Sequence, residues 1–244
     1  MTNISFLRRI HRFTNEEEGI ILGDDCVPCP DYFRFCSEML AYYRDNRKIM
    51  SIVGTNYQSG QVRGDGSYYF SRFPHIWGWA SWRRAWKYYD VSMKSWPKAR
   101  QEKWIEKSCP SVEQNYWIKS FNQVYDGEID TWDCQWLYAC WRAEGIGIIP
   151  NVNLITNIGG GPDATHTKGE ISSLAIVTGT LGNMVHPKNM LADSDADRFT
   201  FETKFQLKFI RRLLSGIRKP KLIRRLISRI EKLVLTLFRK SDSQ

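Results

Sequence analysis

The chain has 244 residues, of which 42% are apolar and 14% aromatic, and it carries a formal net charge of +9. That length suffices for one domain with a substantial core, and the composition excludes a disordered, collagen-like or low-complexity chain. Residues 204–244 hold thirteen Lys or Arg and two acidic residues, whereas residues 1–203 hold 22 basic and 24 acidic ones. Because contacts to phosphates need clustered Lys and Arg, the nearly neutral body argues against nucleic-acid binding.

Short apolar runs alternate with segments of helical periodicity along the first 150 residues. The predicted strands are 18–23, 48–53, 68–70 and 146–149, and the predicted helices open at Pro30 and cover 79–89, 98–107, 112–125 and 131–144. Strands that alternate with helices predict an α/β fold with a largely parallel sheet. Beyond them we expect a Gly-rich loop (157–168), a polar irregular stretch (169–203) and a basic helical one (204–239).

Cysteine usage and the N-terminus indicate the compartment. Six cysteines in a chain of this length do not make a disulfide framework. Cys26-Val-Pro-Cys29 has the spacing of half a zinc site, but no second Cys or His pair follows at ligand spacing, which favours packed thiols. The N-terminus lacks the apolar core of a signal peptide, and no run approaches the ~18 apolar residues of a membrane span. These features predict a cytoplasmic protein with reduced thiols.

Two adjacent carboxylates, Asp24 and Asp25, follow the first predicted strand. In open α/β sheets, ligands bind beyond the carboxyl ends of the strands. Adjacent carboxylates repel each other there unless a cation joins them, and a divalent metal with a phosphorylated ligand is one such arrangement. The alternative interpretation is a turn or helix-capping pair.

Four sequence blocks in a fixed order resemble a known enzyme family. They are Glu16-Glu-Glu-Gly-Ile-Ile-Leu-Gly-Asp-Asp-Cys-Val-Pro28, His75-Ile-Trp-Gly-Trp-Ala-Ser-Trp-Arg-Arg-Ala-Trp86, Thr131-Trp-Asp-Cys-Gln-Trp136 and Asn157-Ile-Gly-Gly-Gly-Pro-Asp-Ala-Thr-His-Thr167. Over about residues 15–170 they are similar to bacterial nucleotide-diphospho-sugar glycosyltransferases of GT-A fold. These are related to glycosyltransferase family 2 and sometimes described as hemolysin-like. The tryptophan block is the most specific of the four.

The resemblance implies a metal site built on the acidic turn. Asp25 matches the carboxylate that holds Mg²⁺ or Mn²⁺ against the donor diphosphate, and Asp24 matches a position that orients the ribose or the metal's water. His166 matches a position that often completes the site, and an imidazole ligand suits Mn²⁺ better than Mg²⁺. The family usually has an acidic residue in place of Gly23, so this departure is expected to affect donor affinity.

The resemblance also implies a catalytic base and a sugar pocket. Asp133 is the candidate base that takes the proton from the acceptor hydroxyl in an inverting transfer. Its alternative role is that of an acidic residue in the first turn of a helix, with Asp130 as the N-cap. Trp77, Gly78 and Trp79 are candidates to line the sugar pocket, since aromatic faces stack on pyranose rings. Core packing is the equal alternative for both tryptophans.

The resemblance implies that this chain lacks the family's first βαβ units, because only 23 residues precede Asp24. The expected organisation is a partial GT-A domain (1–170), an irregular connector (171–203) and a basic tail (204–244). We expect a glycosyltransferase that acts on a cell-surface glycan or lipid-linked acceptor and has little or no turnover as this chain alone. The alternatives are a non-catalytic remnant or partner subunit and, less favoured, a metal-dependent phosphoesterase using Asp24, Asp25 and His166.

The basic tail combines an apolar stripe with Lys and Arg at the remaining positions, and Gly216 and Pro220 divide it into two predicted helices. This pattern is typical of helices that lie on anionic lipid, to which each nearby cation contributes about 1 kcal/mol. It predicts a peripheral protein at the inner face of the membrane. Helices packed on the body, and a nucleic-acid-binding arm, are the alternatives.

Overall fold

A computed structural model describes residues 15–159 and 176–206 of the chain. Within these residues the polypeptide forms seven strands, seven α-helices and one π-helical segment. The strands are β1 (Glu18–Ile21), β2 (Cys26–Pro28), β3 (Ile49–Val53), β4 (Tyr68–Ser71), β5 (Trp79–Trp82), β6 (Ile146–Pro150) and β7 (Ile155–Asn157). The helices are α1 (Pro30–Tyr42), α2 (Arg83–Trp86), α3 (Trp96–Gln101), α4 (Trp104–Ser108), α5 (Ser111–Tyr125), α6 (Asp133–Arg142) and α7 (Ser194–Thr200), and the π-helical segment is Phe201–Gln206.

The main sheet has five strands in the order β1-β5-β3-β6-β4. Only the pair of β3 and β6 is parallel, and the other three neighbouring pairs are antiparallel. The remaining strands, β2 and β7, form an antiparallel ribbon of their own. The predicted α/β class is therefore confirmed. The predicted largely parallel sheet is not: in the part of the chain that the structure describes, the sheet is mixed.

The difference arises mainly at β5, because the predicted helix 79–89 begins as a strand in the structure. Trp79–Trp82 is buried throughout and pairs with β1 on one side and with β3 on the other. Its two tryptophans pack in different hydrophobic clusters: Trp79 packs in the cluster that contains Trp136, and Trp82 packs in the cluster that contains Phe35. A strand buried on both faces has no polar alternation to reveal it, so its apolar residues fit a helical pattern equally well. The helix is confined to Arg83–Trp86.

Helices cover both faces of the main sheet. On one face α1 buries Tyr32, Phe35 and Met39 in a cluster shared with Ile52 and Ile148. Pro30 stands in its first turn, as the sequence predicted. This face places the ribbon of β2 and β7 close to the start of α1, since the backbone N–H of residue 29 donates to the carbonyl of residue 154 at 2.9 Å.

The opposite face is covered by α6, whose Trp136, Ala139 and Cys140 pack against Met50 and Trp79. The helix starts at Asp133 with Trp132 at the N-cap, so the prediction of Asp130 as N-cap was wrong. Trp132 is held there by its ring, which stacks on the ring of Trp79 with a centroid separation of 5.9 Å. Tertiary packing, rather than a polar cap, therefore sets this end of the helix.

The C-terminal end of α6 shows why a glycine follows it. Glu144, not Gly145, adopts the left-handed backbone conformation, with a φ of 53°. A Cβ at Gly145 would lie 2.2 Å from the Cγ of Met50. The sequence correctly predicted that the helix ends at Gly145, but the glycine is required by its close approach to β3.

Contacts divide the chain into two compact units, Met1–Phe199 and Thr200–Gln244. Of the predicted connector, residues 176–191 have no regular structure and residues 194–200 form α7. His166, and the predicted tail beyond residue 206, lie outside the described residues. None of the helices in the described ranges has the length and apolar character needed to cross a bilayer.

Candidate functional site

The site lies at one edge of the main sheet, where β1, β3 and β6 end and β5 begins. Ile21 and Val53, the last residues of β1 and β3, both stand opposite Trp79, the first residue of β5. Because β6 runs parallel to β3, its carboxyl end lies at the same edge. The acidic turn after β1 therefore projects from the edge where ligands bind in open α/β sheets.

Backbone and side-chain hydrogen bonds join the loops at this edge. The N–H of Gly54 donates to the carbonyl of Gly78 at 2.7 Å, and the hydroxyl of Thr55 donates to the carbonyl of Trp77 at 2.6 Å. The N–H of Asn56 donates to the side-chain oxygen of Asn153 at 3.0 Å. These bonds give the edge a rigid base that does not depend on a bound ligand.

Asp25 is held in a tight turn between two glycines. The N–H of Cys26 donates to the carbonyl of Gly23 at 3.0 Å, and the N–H of Ile158 donates to the carbonyl of Asp25 at 2.8 Å. A Cβ at Gly23 would lie 2.8 Å from Oδ1 of Asp25, and one at Gly159 would lie 2.3 Å from Oδ2. Larger residues at either glycine would displace this carboxylate. Gly23 therefore accommodates the Asp25 side chain in this chain.

The neighbouring carboxylate, Asp24, is exposed, whereas Asp25 is half-buried. No group of three or more His, Cys, Asp or Glu side chains that could hold a metal occurs within residues 15–159 and 176–206. Among the described residues, the side chains of the acidic turn that could bind a metal are therefore the two carboxylates of Asp24 and Asp25. Such a pair fits Mg²⁺ or Mn²⁺ that takes its other ligands from phosphate oxygens and water.

The thiol of Cys26 packs beside the Asp25 carboxylate, with its Sγ 3.6 Å from Oδ1 of Asp25. Burial, and then the negative charge of Asp25, raise the pKa of Cys26 to about 11. The thiol therefore stays protonated and serves as a weak hydrogen-bond donor at this site. Tyr57 lies within electrostatic reach of Cys26, and burial is the main cause that raises the pKa of the Tyr57 phenol well above its ordinary value.

Three aromatic rings form a wall at this edge of the sheet, and one of them, that of Tyr57, lies within electrostatic reach of Cys26. The ring of Tyr57 is edge-on to that of Trp77 at 5.7 Å and to that of His75 at 4.7 Å. Trp77 is partly exposed, although it also packs against the core cluster that contains α1. Gly78 has a φ of 62°, and a Cβ there would lie 2.5 Å from Ile155. This glycine allows the chain to turn between the wall and β5.

Of the two candidate pocket tryptophans, only Trp77 lies at the wall. Trp79 is 1% exposed and packs in the core with Trp86, Trp132 and Trp136 at centroid separations of 5.2–6.0 Å within the group. For Trp79, the structure thus favours the core interpretation that the sequence left open. Its packing against Trp132 positions the start of α6.

Asp133, the candidate base, stands at the start of α6 and is half-buried. Since Trp132 stacks on Trp79, this end of α6 lies at the same edge of the sheet as Asp25. Oδ1 of Asp133 accepts a hydrogen bond from the hydroxyl of Thr131 and another from the N–H of Cys134 at 2.9 Å. Both donors act on one oxygen, which orients the carboxyl group.

Sequence reasoning missed Tyr57, Asn153 and Gly159 as parts of the site. Tyr57 lies in the loop after β3, and Asn153 in the loop after β6. Each of these two loops follows a strand that ends at the same edge of the sheet as the acidic turn, which was the one available signal. Without the strand order, that signal could not select individual residues.

Comparison with models of protein families found no match, and comparison with curated proteins found none either.

Proposed function

We propose that the chain is a metal-dependent glycosyltransferase that moves a sugar from a nucleotide-diphosphate donor to a cell-surface glycan or lipid-linked acceptor, with inversion at the anomeric carbon. The observation that supports this most is the setting of Asp25 between Gly23 and Gly159 at the carboxyl edge of the sheet. The family resemblance of the four sequence blocks supports it independently.

Asp25 would hold the divalent cation, with Asp24 at the exposed side of the same turn. A bound Mg²⁺ or Mn²⁺ supplies electrostatic stabilisation of the charge that develops on the departing diphosphate. The absence of a Cβ at Gly23 and at Gly159 leaves the space that the Asp25 carboxylate occupies, so a side chain at either position would displace the proposed metal ligand.

Asp133 would accept the proton of the acceptor hydroxyl as that oxygen attacks the sugar. A carboxylate held by two donors on Oδ1 presents a defined orientation to a substrate, as general-base catalysis requires. Trp77 would stack on the sugar ring, supported by the edge-on ring of Tyr57.

The location that suits this activity is the cytoplasmic face of the inner membrane, to which the basic tail would bind through anionic lipid. The second candidate function is a non-catalytic binding module or partner subunit that keeps the nucleotide-sugar site without turnover. It is favoured by the small donor set, because only two carboxylates are found together at the described edge.

For the metal site, we expect Asp25→Asn to weaken Mn²⁺ affinity by at least about tenfold, equivalent to about 1.4 kcal/mol. The substitution removes the negative charge but keeps the shape that fits between the two glycines. Electron paramagnetic resonance of free Mn²⁺, titrated with the full chain and each common nucleoside diphosphate, measures the affinity. Asp195→Asn, an exposed carboxylate on α7, is the matched control.

Equal Mn²⁺ affinity of the wild type and of Asp25→Asn would contradict the assignment of the metal site. Binding without any Mn²⁺-dependent hydrolysis or transfer of the donor sugar would instead support the non-catalytic alternative. Turnover that needs no divalent cation would exclude the proposed mechanism.

For the base, we expect Asp133→Asn to reduce the rate of sugar transfer by about 10²-fold while leaving Mn²⁺ affinity unchanged, because the amide cannot accept the proton. Because we expect little turnover from this chain alone, the measurement is the single-turnover rate of sugar transfer with the full chain in excess over the donor. Asp130→Asn, three residues earlier and outside the helix, is the control. If Asp133→Asn transferred sugar at the wild-type rate, Asp133 would serve only as an acidic residue in the first turn of α6 and not as the base.

A further inference from the structure

A cluster of buried charges lies at the edge of the sheet opposite the candidate site. Ser71, at the end of β4, pairs with Gly147 near the start of β6. Next to it, the guanidinium of Arg72 contacts the carboxylate of Glu113 on α5, and its Nε lies 3.9 Å from Oδ2 of Asp197 on α7. Both carboxylates are buried, with Glu113 2% and Asp197 4% exposed.

Each member of this cluster has further hydrogen bonds. Asp197 accepts from the hydroxyl of Ser71 and from the N–H of Arg72, the latter at 3.2 Å. Glu113 accepts from the indole N–H of Trp117 at 2.9 Å. The guanidinium also lies over the rings of Phe73 and Trp141 at 4.8 Å from each centroid. The cluster therefore joins β4, α5, α6 and α7.

Besides the contacts of Asp197, two further hydrogen bonds attach the first turn of α7 to the rest of the protein. The helix starts after Asp193, whose N–H donates to the carbonyl of Phe70 at 2.8 Å. On the next turn Ala196 is fully buried, and its carbonyl accepts from the side chain of Gln58 at 3.1 Å. The outer face differs, since Asp195 forms an exposed ion pair with Arg198.

Among the ion pairs of the described residues, these two buried carboxylates share one arginine, so Arg72 alone cannot balance both negative charges. Burial is the main cause that raises the pKa of Asp197 to about 6, and the charge of Glu113 adds to it, while Ser71 and Arg72 act in the opposite direction. Tyr69 on β4 also lies within electrostatic reach of Asp197. The thiol of Cys109 faces the shared guanidinium, with its Sγ 3.6 Å from a terminal nitrogen of Arg72.

We propose that Ser71, Arg72, Glu113 and Asp197, termed here the α7 latch, form a pH-sensitive attachment that holds α7 to β4 more tightly when Asp197 is protonated. α7 is the last helix of the larger unit, and the chain passes from it into the basic segment. The latch is independent of the proposed sugar transfer.

The direction of the pH effect follows from proton binding. The closed latch holds the Asp197 proton up to a pH of about 6, whereas an open, hydrated carboxyl loses it near its ordinary value of 3.8. Rising pH therefore favours opening between these two values, and the effect levels off above the higher one. From pH 5 to pH 8 these two values predict an increase in the opening constant of about tenfold.

Hydrogen exchange of the α7 amides tests the latch in the full chain. The wild type is compared with Asp197→Asn at the same pH, so that the intrinsic pH dependence of exchange cancels. We expect the ratio of exchange rates, wild type over variant, to be about tenfold greater at pH 8 than at pH 5. Asp195→Asn, on the exposed face of the same helix, should give a ratio that does not change with pH.

A pH-independent ratio for Asp197→Asn would overturn the proposal. A second measurement needs no variant: the carboxyl ¹³C resonance of Asp197 in the wild type should titrate near pH 6. Titration near its ordinary value would overturn the proposal equally.

Discussion

Replacing Arg72 by methionine is expected to reduce the free energy of unfolding by about 3–5 kcal/mol, since removal of one partner leaves buried charges uncompensated. The buried carboxylates of Glu113 and Asp197 would lose their only shared cation within the described residues. Methionine keeps much of the length of the side chain but removes the guanidinium that lies over the rings of Phe73 and Trp141. Denaturant unfolding at neutral pH measures the change.

A matched control for this prediction is Arg198→Met. Arg198 also forms an ion pair with an aspartate, but its side chain is 67% exposed. Its loss should change stability by no more than about 1 kcal/mol. Adding Glu113→Gln and Asp197→Asn to Arg72→Met should restore part of the lost stability, because the uncompensated charges are removed. A loss of under 1 kcal/mol for Arg72→Met would refute the charge argument.

Trp79→Ala is expected to lower the free energy of unfolding by about 3–5 kcal/mol, the range for truncating a large buried aromatic. Trp79 is 1% exposed and packs against Trp86, Trp132 and Trp136. Trp79→Phe should cost less, since it keeps part of the ring packing. Thermal and denaturant unfolding give the two values.

The contrasting substitution is Trp77→Ala, two residues earlier. Trp77 is partly exposed and stands at the aromatic wall, so its loss should destabilise the fold less than the loss of Trp79. If it stacks on the donor sugar, the variant should weaken donor binding instead. If Trp77→Ala destabilised the fold more than Trp79→Ala, the assignment of Trp79 to the core and of Trp77 to the aromatic wall would be wrong.

Several elements were predictable because their signals are local. The helix that opens at Pro30 and the helix α5 follow from apolar residues at helical spacing. The short runs that became β1, β3 and β6 are apolar and bounded by glycine or proline. Strand β5 was not predictable in this way, since burial on both faces removes the alternation that marks a strand.

The candidate site was predictable in part. The two adjacent aspartates after the first predicted strand marked the acidic turn, and the family resemblance singled out Asp25 within it. Its neighbours Gly159 and Cys26 come together only through the pairing of β2 with β7, where Cys26 stands opposite Asn157. Tyr57 reaches the site through the order of the strands in the main sheet.

By itself, the sequence determined an α/β protein with an acidic turn after its first strand and a separate basic segment, since these depend on periodicity, local composition and charge. Only the tertiary structure decided the mixed strand directions and the joining of Arg72 to partners 41 and 125 positions further along the chain. Such pairings depend on which distant surfaces meet and exclude water. Asp197 lies in a stretch that the sequence predicted to be polar and irregular, and only the structure shows the helix and the burial that raises the pKa of its carboxyl group.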